Sequence, residues 1–196
     1  MEPDVTRKGR PPATTRAHVA RTALALFTEH GYEATTMQDV AAAVGITRRS
    51  LFRYFDSKAA VVWHGEQEAA RAVADEIAAL GEDVPWPTGV VRAVLAALRF
   101  PDDDLDALRL RLRLVSGVPE LRAHLVESGE ASTGLLASYV AARTGRAADD
   151  LEPLTLARAV RAASTTGLIW WAENPGAGTD PRTAVRRALS ALGLDG

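Results

Sequence analysis

The 196-residue chain contains no cysteine. That excludes disulfides, thiolate nucleophiles and cysteine-based zinc sites, and it fits a reducing cytosol. No apolar run reaches the roughly 18 residues a membrane span requires. The opening MEPDVTRKGRPPATTR has no apolar h-region, so neither a membrane partner nor a secretory signal is expected. Strand-like alternation of β-branched residues is scarce, and no repeat of fixed period is visible. There is no nucleophile–base pair at motif spacing and no Gly-rich phosphate loop. Only four histidines are present, too few and too scattered for a ligand cluster. His64 and Glu68, at i, i+4 with His124 as a distant third, suit an ion pair better than a metal. No catalytic residue, metal or cofactor is therefore expected, and the chain does not read as an enzyme.

What the chain has is apolar mass and an uneven charge distribution. Hydrophobic residues make up 47%, enough to bury a sizeable core. The net charge of −2 conceals a basic first third: residues 1–58 carry 9 Lys/Arg against 6 Asp/Glu, and the remainder 14 against 19. A basic head on an acidic body suggests nucleic-acid binding by the head.

The periodicity predicts an all-α protein of about nine helices. Residues 1–13, polar and Pro-containing, read as a flexible arm. Helices follow at about 14–30, 36–45, 48–54 and 57–80. After the break GEDVPWP (81–87) come 88–99, 103–115, 119–143, 152–173 and 181–192. LRLRLRLV (108–115) alternates like a strand, but no partner strand exists for it, and a lone strand is unstable. It is therefore read as a helix with Arg109 and Arg113 adjacent at i, i+4.

The stretch TRRSLFRYF (47–55) carries the functional signal. On a helical wheel Leu51, Phe52 and Phe55 form an apolar arc, and Arg49, Ser50, Arg53 and Tyr54 a polar one. Arg48 lies over the apolar arc and reaches outward only through its place in the first turn. Upstream, Thr36 with Asp39 three residues on resembles a capping box. Gly45 permits a tight turn, and Thr47 caps the next helix. Two short helices joined this way match a helix-turn-helix, whose second helix meets base edges in the major groove. Arg48, Arg49 and Ser50 stand at its start, with Thr47 as its cap. Arg53, Tyr54 and Lys58 suit phosphates, and so does Thr36 at a helix N-terminus. The arm's Arg7, Lys8 and Arg10 could enter a minor groove or simply solubilise the chain.

TTMQDVAAAVGITRRSLFRYFDSKAAVV (35–62), preceded by ARTALALFTEHGYEATT (20–36), resembles the DNA-binding segment of the TetR family of transcriptional regulators. The resemblance implies a homodimer that binds a palindromic operator, usually as a repressor released by a small molecule. It places Thr36, Arg53, Tyr54 and Lys58 at backbone-contacting positions, and Gln38, Arg48, Arg49 and Ser50 within reach of bases. Many relatives have His where Tyr54 stands. RRSLFRYFDSK together with RLRLVSGVPELRAHL (111–125) is similar to regulators of the mycofactocin type, implying an acyl-CoA-like effector.

The expected organisation is thus an arm (1–13), a helix-turn-helix head (14–58) and a ligand-binding and dimerisation body (59–196). Candidate pocket residues are Trp63, Trp86, Phe100, Arg109, Leu112, Arg113, Leu121, Leu125 and Trp170. The two arginines would meet an anionic ligand head or bridge to Asp102, Asp103 or Asp104. LARAVRAASTTGLIWW (156–171) has a small-residue face that lets another helix approach closely. With the resemblance, this gives a dimer interface of Val160, Ala163, Ser164, Gly167, Trp171, Val185, Ala188, Leu189 and Leu192. Two rivals remain open: packing of these residues within one chain, and a nucleoid-type DNA binder that has no cavity and no effector. A cytoplasmic location is expected.

Overall fold

The computed structural model describes residues 14–98 and 105–195. Among these there are eleven α-helices and no strand: α1 (Arg16–His30), α2 (Met37–Val44), α3 (Arg48–Leu51), α4 (Lys58–Val62), α5 (Glu66–Ala79), α6 (Trp86–Ala96), α7 (Leu105–Gly117), α8 (Pro119–Ser128), α9 (Glu130–Thr144), α10 (Leu151–Glu173) and α11 (Pro181–Ser190). A single 3-10 turn, Pro175–Ala177, lies between α10 and α11. No described helix is long and apolar enough to cross a membrane.

The chain divides into two compact units between Val62 and Trp63. In the first, α1 buries Val19, Ala20, Ala23, Leu24 and Phe27, one stripe at helical spacing. Val40 and Ala41 of α2, Leu51 of α3 and Val61 and Val62 of α4 complete this core. Tyr32, in the turn after α1, sets its ring edge-on to Phe27 at 5.2 Å.

The second unit is organised on α10, a 23-residue helix packed against α7, α9 and α11. Val90, Val91 and Val94 of α6, Leu136 and Val140 of α9, Val160 of α10 and Val185 and Leu189 of α11 form its main core. A smaller cluster gathers Leu108, Trp171, Ala172 and Ala184.

Two expected helices are broken. The predicted 57–80 helix stops at Val62 and resumes at Glu66, because Gly65 takes a left-handed conformation with φ 97°. Glu66 and Glu68 then suit the new N-terminus, where carboxylates oppose the unpaired N–H groups. The predicted 119–143 helix divides at Gly129. There the Arg161 guanidinium lies against the glycine, 2.1 Å from where a Cβ would stand. The strand-like stretch 108–115 is helical, within α7.

Candidate functional site

The helix-turn-helix is held by local capping. Thr36 accepts from the Asp39 amide at 3.2 Å, and Asp39 in return accepts from the Thr36 amide at 2.8 Å. The Thr36 hydroxyl also donates to Asp39 Oδ2 at 2.7 Å. This bond, followed by the one from the Thr36 backbone, holds the Asp39 carboxyl below the ordinary aspartate range. Gly45 ends α2 at φ 76°, ψ 30°, donating to Ala42 O, while the Ile46 amide donates to Ala41 O. That left-handed cap is the turn of the motif. Thr47 then opens α3, accepting from the Ser50 amide at 3.1 Å and donating to Ser50 Oγ at 3.0 Å.

The expected DNA-facing residues fall into two groups. Gln38, Arg49 and Arg53 are exposed, and no side-chain hydrogen bond or ion pair ties them to other described residues. Arg48 is exposed as well, but its guanidinium lies over the Phe52 ring at 5.4 Å.

The other five are engaged inside the first unit. The Thr36 hydroxyl is spent on Asp39, whose negative charge also makes α2 a poorer phosphate seat than its N–H groups alone would suggest. Thr47 and Ser50 bond each other. Tyr54 Oη donates to the Thr14 carbonyl at 2.8 Å. Lys58 Nζ donates to the carbonyls of Tyr32 at 2.6 Å, Thr35 at 3.2 Å and, more weakly, Glu33 at 3.5 Å.

Phe52 corrects the helical wheel. It was placed on the buried arc but is 40% exposed. α3 keeps helical form for one turn only. Phe52 itself still donates four residues back, to Arg48 O, and only beyond it do Arg53 and Tyr54 donate three back, to Ser50 and Leu51. Phe52 stands at the edge of the apolar arc, where the Arg48 guanidinium and not the core lies over its ring. An exposed aromatic just after α3 was thus missed, and its place at the edge of the apolar arc was the signal available. Leu51 and Phe55 are buried as expected.

In the body, Arg109 and Arg113 are engaged with backbone carbonyls; Asp102–Asp104 lie outside the described residues. Arg109 stacks on Trp171 at 3.9 Å and donates to Trp171 O at 3.1 Å and Gly178 O at 2.7 Å. Arg113 donates to Ala172 O at 2.9 Å. Both therefore neutralise the carbonyl end of α10, where a cation is favoured. Trp170 lines no interior: it is 42% exposed, with Arg187 over its ring at 5.4 Å. Trp63, Trp86 and Leu112 are half-buried, and Leu121 is fully buried. Phe100 and the side chain of Leu125 lie outside the described residues, as does the arm.

A cleft of about 570 Å³ lies elsewhere in the second unit, between α5, α6 and the start of α11. It is lined by Glu76, Arg92, Leu95, Ala96, Asp180, Arg182, Thr183 and Arg186, none of them among the expected pocket residues. Arg92 grips Glu76 at 2.8 Å and Arg182 grips Asp180 at 2.9 Å. The hydrogen bond from Arg182 lowers the Asp180 pKa.

Five of the nine expected interface residues are taken up within the chain. Val160, Gly167, Trp171, Val185 and Leu189 are buried. A Cβ on Gly167 would stand 2.9 Å from Val185 Cα, so the small-residue face of α10 serves α11 of the same chain. Trp171 is wholly enclosed, its Nε1 donating to Gly178 O at 3.0 Å. Ala163, Ser164 and Ala188 are half-buried and Leu192 is exposed.

Residues 19–62 match the family model for bacterial regulatory proteins of the tetR family, and residues 84–194 match that for the MftR C-terminal domain. The chain is 30% identical over 155 residues to the mycofactocin biosynthesis transcriptional regulator MftR of Mycobacterium tuberculosis, covering 79% of this chain and 78% of that protein. It is 37% identical over 144 residues to the HTH-type transcriptional regulator TcmR of Streptomyces glaucescens, covering 69% of this chain and 63% of that one. Among solved structures it is similar to FadR of Thermus thermophilus, a TetR-family repressor in complex with lauroyl-CoA. The TM-score there is 0.59 at 20% identity, over 91% of this chain and 93% of that one.

Proposed function

The chain belongs to the TetR family of bacterial transcriptional regulators, and from that premise we propose a homodimeric repressor that binds a palindromic operator and leaves it when a small molecule binds the body. The coarser part of this, a DNA-binding transcriptional regulator and not an enzyme, follows from the family itself. One observation carries the reading. Arg49, Arg53 and Gln38 extend outward from a fully capped helix-turn-helix without internal partners. An arginine so placed can take guanine O6 and N7 with two hydrogen bonds.

The dimer is supported by geometry: two recognition helices reach successive major grooves only if a second copy holds them about one helical turn apart. Ala163, Ser164, Ala188 and Leu192, with the exposed Trp170, are the candidate surface. An acyl-CoA-like effector is what the resemblance to regulators of the mycofactocin type implies, and the similar Thermus protein is in complex with lauroyl-CoA. Trp63, Trp86, Leu112 and Leu121 are the candidates for contact with its apolar part. A regulator of this kind works in the cytoplasm.

The test is selection of bound DNA from a random pool, followed by titration of the selected site with lauroyl-CoA. A two-fold-symmetric site released by the acyl-CoA is expected. Equal affinity for every sequence would sink the specific repressor. A specific site unaffected by acyl-CoAs and metabolite mixtures would sink the effector and leave a constitutive DNA binder.

A further inference from the structure

We propose that the cleft between α5, α6 and the start of α11 is a binding site for a small organic anion, a carboxylate with a short apolar chain. This goes beyond the effector reading above and does not depend on it: none of the cleft's residues is among those assigned to an acyl chain. Its volume of about 570 Å³ falls within the range of small-molecule sites, about 300–1,000 Å³. Two helices supply most of the lining. On α6, Arg92, Leu95 and Ala96 lie at i, i+3 and i+4, so one helix face presents a guanidinium beside an apolar floor. On α11, Arg182, Thr183 and Arg186 stand in the first two turns.

Two of these guanidiniums are held in place but not used up. Arg92 turns Nε and Nη2 to a single oxygen, Glu76 Oε1, at 2.9 and 2.8 Å. Arg182 turns the same edge to Asp180, with Nε 2.9 Å from Oδ1 and Nη2 2.9 Å from Oδ2. A guanidinium has five N–H donors, so each keeps at least three without a partner among the described residues. The carboxylates thereby fix the planes of the two arginines and leave the Nη1 side to a ligand, where a carboxylate can take two parallel hydrogen bonds. A fork already ordered loses less freedom on binding than a loose one. Charge points the same way. The lining carries three arginines against two carboxylates, a net of +1, in a body whose residues 59–196 carry 14 Lys/Arg against 19 Asp/Glu. One ligand carboxylate balances that excess, and its hydrocarbon part lies on Leu95 and Ala96. Arg109 and Arg113, expected to meet an anionic ligand head, are turned to the backbone of α10 instead; the pair that lines a cavity is Arg92 and Arg182.

An NMR titration of the isotope-labelled protein at constant ionic strength tests this, with sodium hexanoate as the probe and hexylammonium as the same chain with the opposite charge. Hexanoate is expected to shift the amides of Leu95, Ala96 and Thr183 saturably, with a Kd of about 1 mM, and hexylammonium to leave them unmoved. Arg182→Gln removes one fork and keeps the Asp180 cap, which the backbone amide at 182 supplies at 2.9 Å. Arg92→Lys keeps the charge beside Glu76 and removes the other fork. Each is expected to raise the Kd about tenfold. Arg158→Gln changes an exposed arginine of α10 outside the cleft and is expected to leave the Kd unchanged. Unmoved amides, equal shifts with hexylammonium, wild-type affinity in either cleft variant, or an equal loss in Arg158→Gln would each overturn the proposal. Inorganic phosphate binding more tightly than hexanoate would overturn the assigned ligand class.

Discussion

Replacing glycine by alanine at two helical positions should move stability in opposite directions. Gly134 lies in α9, exposed, with nothing within 4 Å of where a Cβ would stand. Alanine there gains only the helical preference, about 0.5–1 kcal/mol. Gly167 lies in α10 and is buried, and a Cβ there meets Val185 Cα at 2.9 Å and Ala184 O at 3.0 Å. Both are backbone atoms, so no rotamer change relieves them and α11 itself must move. α11 carries the buried Val185 and Leu189, so the displacement disturbs the main core. Overpacking of this kind costs about 1–3 kcal/mol, from which the same helical gain must be subtracted. Gly167→Ala should therefore lie about 1–3 kcal/mol below Gly134→Ala. Urea unfolding at one fixed protein concentration measures it, since self-association would otherwise shift the result. If the two variants prove equally stable, α10 and α11 do not pack as described and the intrachain role of the small-residue face is wrong.

Arg109→Lys should destabilise the body by about 2–3 kcal/mol, because a point charge cannot reach both carbonyls and stack on Trp171. Urea unfolding followed by tryptophan fluorescence checks this, and wild-type stability in the lysine variant would refute the cap. The ionised Asp39 stabilises the head fully above the ordinary aspartate value of 3.8, and that contribution is lost as pH falls through its lowered folded value. An NMR titration of its carboxyl should therefore show a midpoint below 3.8, and an unshifted midpoint would contradict the capping box. Arg49→Ala should relax preference at one operator position by about 1–3 kcal/mol. Arg53→Ala should weaken all sequences alike, and repeating the DNA selection with each variant distinguishes the two.

What was legible in the sequence was local. Thr36 with Asp39, Gly45 and Thr47 each act within a few residues, and all three devices appear where their spacing put them. The helical wheel failed at Phe52 because an azimuth at the edge of the apolar arc does not say how far the packed core reaches, and here Arg48 and not the core lies over the ring. The broken helices at Gly65 and Gly129 failed for another reason: an isolated glycine is compatible with a continuous helix, and only its neighbours decide. At Gly129 the place a Cβ would take is filled by Arg161, 32 positions away. The arginines were hardest to read. Arg109 and Arg113 find acceptors about 60 residues downstream, which no spacing rule reports. Trp171 was read as an interface residue from the small-residue face of α10; it is buried, and Gly167 on that face packs against α11 of the same chain.

The Gly178 carbonyl accepts from both Arg109 Nη2 and Trp171 Nε1. The segment 174–180 is exposed almost throughout and rich in glycine and proline, the usual profile of a loop that tolerates insertions. Yet one of its oxygens serves two side chains rooted on two helices, so its length is set from the inside. An epitope tag inserted at 175–178 would strand a guanidinium and a buried indole together. The same tag after Gly145, in a loop whose hydrogen bonds among the described residues go to near neighbours, would strand neither.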